Sequence, residues 1–421
     1  MRKIDRFVVS TILLCTILVW QKANSQETNN EVVNIVEVAD AVNDIVNIKE
    51  KTKRDIKKEE RDNRNLRFSV LGGPGYTPDY GFLVGGSALV TFDMPGMKGI
   101  GKRSVLPFAF SLTFGDEIYF SAIMRPQFYL NRDKIRINGE FKYTNLENNY
   151  YGVGFDLNKA TIRAEDVTQY FYNQVVVNPT LSFRIKDSDW FVGATFHLQR
   201  DNITNPAQGM IDDPDYIKVG GDANGFIALN SGVGFTVNYD SRDIPSNAYE
   251  GNYFDFKGVT YGDYFGGDSK FTTLQFKYRQ YIPLSKTKVG RTLAWSVTSD
   301  NVFGDAPFTM LATIGSPFDL RGYYQGQYRD KSAHTAIVEY RHKFHAEPTN
   351  FLTKMVGKMG FVAWMGSGML GPSPFDIEGV LPNYGAGLRF EVQPRMNFRV
   401  DVGRSPIEKQ TLFYINMTEA F

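Results

Sequence analysis

The nine residues IRINGEFKY, at 135–143, put Ile135, Ile137, Phe141 and Tyr143 on one face of an extended chain and Arg136, Asn138, Glu140 and Lys142 on the other. The same alternation returns in DWFVGATFHLQ (189–199), RTLAWSVTSD (291–300) and MNFRVDVGR (396–404). A period of two over so many segments predicts β-strands with one apolar and one polar face. Two architectures use such strands. In a soluble sandwich the apolar faces meet each other. In an outer-membrane barrel they meet lipid, and the polar faces line the lumen.

Length separates the two. The candidate strands run about 9–14 residues, the reach of a membrane crossing, against about 5–6 in soluble sheets. Phe and Tyr number 33 and 23, and they gather near strand ends, as at Phe128, Tyr129, Tyr264 and Phe265. Interfacial girdles of a barrel sit at such ends. Beyond the N-terminus no apolar run is long enough for a spanning helix, so any crossing is made by strands.

The alternation resolves into 16 strands, near 67–73, 82–93, 104–115, 117–130, 134–144, 174–186, 189–200, 225–240, 252–265, 270–282, 291–303, 333–345, 358–369, 383–393, 396–404 and 409–421. The expected fold is all-β: an antiparallel transmembrane barrel over residues 66–421 with an even strand count. With the N-terminus in the periplasm, the long connections (145–173, 201–224, 304–332 and 370–382) fall outside. The short turns NRDK, KDSD and QPRM fall inside, with two longer inward turns at 94–103 and 346–357.

Residues 1–25 read as a secretory signal: Arg2, Lys3 and Arg6, an apolar run, then ANS before Gln26. The only cysteine, Cys15, lies in that run, so the mature chain offers no thiol chemistry. In 31–48 Val32, Ile35, Val36, Ala39, Val42 and Val46 take helical spacing. Residues 49–65 follow as a charged tether with eight bases and five acids. The expectation for 26–65 is a periplasmic amphipathic helix and tether. A formal net charge of +1 gives no electrostatic reason to expect nucleic acid.

The stretch IGSPFDLRGYYQGQYRD (314–330), followed by TAIVEYRHKF, resembles the long sixth outer loop and next strand of the BamA/TamA superfamily, the bacterial surface antigen barrels. NYDSRDIPSNAYEGNYFDF (238–256), YGAGLRFEV (384–392), FRVDVGRS (398–405) and the final aromatic of TLFYINMTEAF resemble further elements of that family, in order. The resemblance implies that the loop folds into the barrel, with Arg321 on lumen acids and Gly322 and Tyr323 at its tip. A cap on a solvated loop is the plainer alternative for Arg321. The family's usual Asp partner, in a Phe-x-Asp-x-Gly pattern, is replaced here by Gly366 of WMGSG. By strand parity Glu339, Arg341, Arg389, Glu391, Arg399 and Asp401 face the lumen. Glu339 is the first candidate partner and Asp401 the second.

Two further departures follow. Members that insert or export proteins carry periplasmic POTRA domains, and the 40 residues from Gln26 to Asn65 are too few for one, so a barrel-only branch is expected. Members also pair their first and last strands weakly. Here Gly72, Gly73, Pro74 and Gly75 would weaken a first strand, unless GGPGY is simply the first outer turn.

Other constellations are weak. His342 and His345 lie on opposite faces of a regular strand and cannot share a metal. His197 faces the lumen with no nameable Ser or carboxylate partner. Asp212, Asp213 and Asp215 could form a surface calcium site but lack EF-hand spacing, and a solvated turn fits them as well. The glycines of GGDANG and YFGGDSKF read as turns. No cofactor, metal or catalytic group is expected.

The leading expectation is an outer-membrane biogenesis or translocation component with an occluded lumen. It would touch outer-membrane lipid, with periplasmic or lipoprotein partners recruited through 26–65. A passive solute pore comes second, and a lipid-modifying enzyme third.

Overall fold

A computed structural model describes residues 65–97, 102–114, 118–347, 349–393 and 395–421. The expected signal peptide, Cys15, and all but the last residue of the expected helix and tether lie outside these residues.

The described chain forms a closed antiparallel barrel of 16 crossing strands. In chain order they are β1 (Leu66–Thr77), β2 (Gly81–Phe92), β3 (Ser104–Phe114), β4 (Ile118–Met124, resumed at Gln127–Leu130), β5 (Ile135–Asn149), β6 (Gln169–Arg184), β7 (Trp190–Thr204) and β8 (Phe226–Asp240). There follow β9 (Gly251–Tyr261), β10 (Phe271–Pro283), β11 (Arg291–Gly304), β12 (Ser332–Lys343), β13 (Met359–Gly371), β14 (Gly379–Gln393), β15 (Met396–Ser405) and β16 (Gln410–Met417). The break in β4 falls at Pro126, which has no N–H to donate. Its carbonyl still accepts from Gly139 N at 3.1 Å, so β4 stays against β5.

Period two becomes inside and outside. In β7, Trp190, Val192 and Phe196 are exposed, while Thr195, His197 and Gln199 are buried. On the outer surface Trp190 contacts Tyr239 and Phe254 at ring distances of 5.1 and 5.3 Å, and Phe254 contacts Phe276 at 5.6 Å. This aromatic row lies near the rim with the shorter turns, where amphipathic rings suit a lipid–water boundary. At the opposite rim the connections 150–168, 205–225 and 305–331 pack around Phe308, with Tyr150, Tyr170, Met210, Tyr216 and Phe226.

One open alternative is resolved and two local expectations change. The Gly-Gly-Pro-Gly run is no turn. It lies inside β1, with Gly72, Gly73 and Pro74 opposite Gly86, Gly85 and Val84. Tyr264 and Phe265 lie beyond β9, in the 3-10 turn Asp263–Phe265. The last strand ends at Met417, because Thr418 takes φ +67 and turns the chain off the ladder.

Closure is uneven. β1 matches β2 at every one of its 12 positions, and β15 matches β16 from Phe398↔Met417 to Ser405↔Gln410. Between β1 and β16 there is a single matched pair, Tyr76↔Ile415.

Candidate functional site

The connection from β11 to β12 leaves the long-loop rim and closes a small hairpin, Ala312–Ile314 against Tyr328–Asp330. Between those strands it carries Arg321 to the lumen wall formed by β12 to β16. Arg321 is fully buried. Its Nη1 donates to Asp401 Oδ2 at 2.8 Å and its Nη2 to Glu339 Oε2 at 3.2 Å. Its guanidinium lies 3.5 Å from the ring centroid of Trp364, a desolvated cation–π contact.

Asp401 is the hub. It also accepts from Arg399 Nη1 at 2.9 Å and Arg389 Nη1 at 2.6 Å. Arg399 Nη2 donates back to the loop at Pro317 O, 2.7 Å. Arg341 lies 3.7 Å from Glu339. Of the lumen-facing set named by parity, only Glu391 stands apart, paired with Lys343 at 2.5 Å. Charges this deep persist only when paired and hydrogen-bonded.

The tip is fitted by backbone shape. Gly322 takes φ +112, and a Cβ there would stand 2.8 Å from Arg404 C and 3.0 Å from Ser405 N. Gly403 clears the opposite side: its Cβ would stand 2.7 Å from Arg321 C. Tyr414 OH accepts from Gly322 N at 2.9 Å and donates to Tyr323 O at 3.2 Å. Tyr323 OH donates to Pro382 O at 2.8 Å. Gly403→Ala is therefore expected to weaken loop seating by about 1–3 kcal/mol through overpacking. Trypsin cleavage within 305–331 checks it; a cleavage rate equal to wild type would show that the tip does not rest on β15.

The missing Asp has a steric reason. A Cβ at Gly366 would meet Ala336 O and Asn383 Oδ1, each at 2.8 Å, so the wall has no room for a carboxylate there. Asn383 Nδ2 instead holds the Arg321 carbonyl at 2.8 Å, and Trp364 takes the guanidinium face. Trp364, Asn383 and Tyr414 escaped the sequence reading. The only hint was the indole standing two residues before Gly366.

The loop also reaches the first hairpin. Asp79, in the β1–β2 turn, accepts from Gln325 N at 2.8 Å. Burial pushes its carboxyl up to about 6 against the pull of that bond and of Arg163. Arg163 donates to Pro78 O and Asp79 O at 2.9 and 2.8 Å and covers the Tyr324 ring at 4.7 Å.

The remaining candidates disperse. His197 Nδ1 lies 3.0 Å from Tyr261 OH. His342 stacks on Phe361 at 5.1 Å on the outer surface, and His345 lies past the end of β12. Asp213 caps the helix Pro214–Lys218 through Asp215 N, and Asp212 takes Gln208 Nε2. Among the described residues no three His, Cys, Asp or Glu side chains are grouped to hold a metal.

Residues 111–365 match the sequence profile of the Omp85 superfamily domain. Among curated proteins none matches significantly. The fold is similar to that of BamA from Haemophilus ducreyi lacking POTRA domains 1-3, at a TM-score of 0.55 and 14% identity over 84% of this chain and 70% of that one. It is also similar to CdiB from Acinetobacter baumannii (0.51, 13%, 84% and 60%) and CdiB from Escherichia coli (0.53, 11%, 85% and 63%). The chain thus spans less than two thirds of either CdiB chain.

Proposed function

Because this chain belongs to the Omp85 superfamily of outer-membrane β-barrels, shown by the profile match over residues 111–365, we propose that it serves in the biogenesis or translocation of outer-membrane protein or lipid. In this reading the Arg321 loop closes the lumen from the outer side, and work is done at the β1–β16 seam, which yields towards lipid. The N-terminus lies in the periplasm. Residues 1–25 serve as a signal peptide, and residues 26–65 recruit a periplasmic or lipoprotein partner. No catalytic step is involved.

The observation that carries the reading is the lone Tyr76↔Ile415 pair beside fully matched neighbouring ladders. A seam held by so few main-chain bonds opens at far lower cost than any other strand pair. Gly72, Gly73, Pro74 and Gly75 weaken β1 further. In a strain whose outer membrane fails without this protein, Tyr76→Cys with Ile415→Cys is expected to reproduce that failure when oxidised and to recover with reductant. Normal detergent resistance with the crosslink formed would sink the seam as the working part.

A second reading, a passive pore, draws on the other lumen wall. There Lys142, Lys257, Lys277 and Arg279 fall on the inward parity and are half-buried. A large steady current from the wild type in planar bilayers would favour the pore and remove the closed lumen.

A further inference from the structure

At the short-turn rim the chain leaves the ladder after Met417. Thr418 N still donates to Asn397 O at 2.8 Å, and then Glu419, Ala420 and Phe421 turn into the barrel and are buried there. They meet side chains from four strands, β10, β12, β14 and β15. Glu419 accepts from Arg389 Nε at 2.8 Å and Asn397 Nδ2 at 2.6 Å. Arg341 Nη2 donates to Phe421 O at 2.9 Å. The Phe421 ring lies beside Tyr281, at 6.5 Å, and below the guanidinium of Arg341, at 5.0 Å. Ala420 and Phe421 belong to the same buried cluster as Ala248 and Ala294.

This floor has more recognition groups than the segment uses. A cavity of about 30 Å³ adjoins Glu419 and is lined by Asn247, Arg341 and Arg389 among others. Arg341 Nε and Nη1 and Arg389 Nη2 are buried and have no protein partner. Buried polar groups without partners are costly, and several around one cavity mark a place built to hold polar ligand atoms. A void of that size holds about two waters or one carboxylate.

The floor is also wired to the loop. Arg389 joins Glu419 to Asp401, and Asp401 joins Arg389 to Arg321. Four charged groups in sequence thus connect a segment entering from one rim to a loop entering from the other.

We propose that the barrel floor is a binding site for a peptide segment of the form acid-x-aromatic, that Glu419–Phe421 fills it in cis, and that its occupancy is coupled through Arg389 and Asp401 to the seating of the Arg321 loop. The carboxylate is selected by Arg389 and Asn397, the aromatic ring by Tyr281 and Arg341, and the main-chain carbonyl of the aromatic residue by Arg341. A segment tethered beside its site sees an effective concentration of order millimolar, so weak intrinsic affinity suffices for cis occupancy. A free peptide at similar concentration can then take the emptied site.

Glu419→Ala with Phe421→Ala empties the floor and leaves the wall intact. The probe is the tetrapeptide Thr-Glu-Ala-Phe, labelled with fluorescein at its N-terminus and followed by anisotropy with the whole chain in detergent micelles. Saturable binding to the emptied barrel is expected at about millimolar peptide, with the wild type at least about tenfold weaker because its site is filled. Adding Arg389→Gln to the emptied barrel should abolish binding. Absence of saturable binding, or equal binding by wild type and emptied barrel, overturns the site. If the double variant does not fold, Glu419→Gln with Phe421→Ala replaces it, with the same expected and overturning results.

The coupling is read in planar bilayers. The emptied barrel should spend about tenfold more time open, the effect of losing about one charge-assisted hydrogen bond, and the peptide should reverse it. An unchanged open time overturns the coupling. This second arm rests on the reading that the loop closes the lumen. The binding arm does not, so a wild type that conducts steadily removes that reading and leaves the site standing or falling on anisotropy alone.

Discussion

Replacing Asp401 with Asn is expected to lower the unfolding free energy of the barrel by about 3–5 kcal/mol. The side chain keeps its shape, so the loss is electrostatic. One buried carboxylate receives Arg321, Arg389 and Arg399 at 2.8, 2.6 and 2.9 Å. The neutral amide leaves Arg399 with the Pro317 carbonyl and the Phe318 ring and leaves Arg389 leaning on Glu419. Removing one partner from a buried ion cluster strands the others without solvent, and that penalty exceeds the worth of any one bond. Urea titration followed by the heat-modifiable gel shift of the folded barrel reads the change. A shift below about 1 kcal/mol would mean that water already solvates the cluster, as at exposed pairs. Arg399→Met added to Asp401→Asn should recover part of the loss, because it removes one stranded charge.

Arg321→Ala should act differently, releasing the loop while sparing the barrel. The loop loses two charge-assisted bonds and the Trp364 contact. Each such bond contributes about 1.5–3 kcal/mol and the cation–π contact about 2. The wall strands no charge, since Asp401 keeps Arg389 and Arg399, and Glu339 keeps Arg341 nearby. The released population of the loop is expected to rise at least about a hundredfold, the equivalent of about 2.8 kcal/mol. Long open events in planar bilayers, against a mostly closed wild type, are the expected trace, with an unchanged urea midpoint. A closed trace from Arg321→Ala would show that the Phe308 cluster alone holds the loop in place.

Much of the barrel was legible because period two survives wherever one face meets lipid and the other does not. IRINGEFKY and DWFVGATFHLQ carry that signal without interruption, and both are strands with the expected faces. The signal fails where a strand must stop. Glu419 falls on the outer face of Phe413 and Ile415 and so breaks the apolar alternation, but a single acid near a chain end does not announce the left-handed turn at Thr418. The wall around Arg321 was legible by face and not by height. Parity assigns Glu339, Asp401, Arg389 and Arg399 to the lumen, but which of them lies level with Arg321 depends on the stagger between strands. Stagger is set by long-range closure and leaves no local trace. Trp364 was hidden for another reason. An aromatic on a barrel strand reads as lipid-facing, and this one is turned inward by the space that Gly385 leaves, where a Cβ would stand 2.3 Å from the indole.

The lone Tyr76↔Ile415 match has a consequence for the bilayer itself. Away from Tyr76, the β16-facing side of β1 has no registered neighbour on the last strand. Hydrocarbon cannot satisfy amide groups, and leaving one bare there costs several kcal/mol. Water must therefore reach down this line, and the surrounding lipid must yield to admit it. The cost of an unpaired edge would thus fall on the lipid beside it, which would give up packing to let water reach those amides.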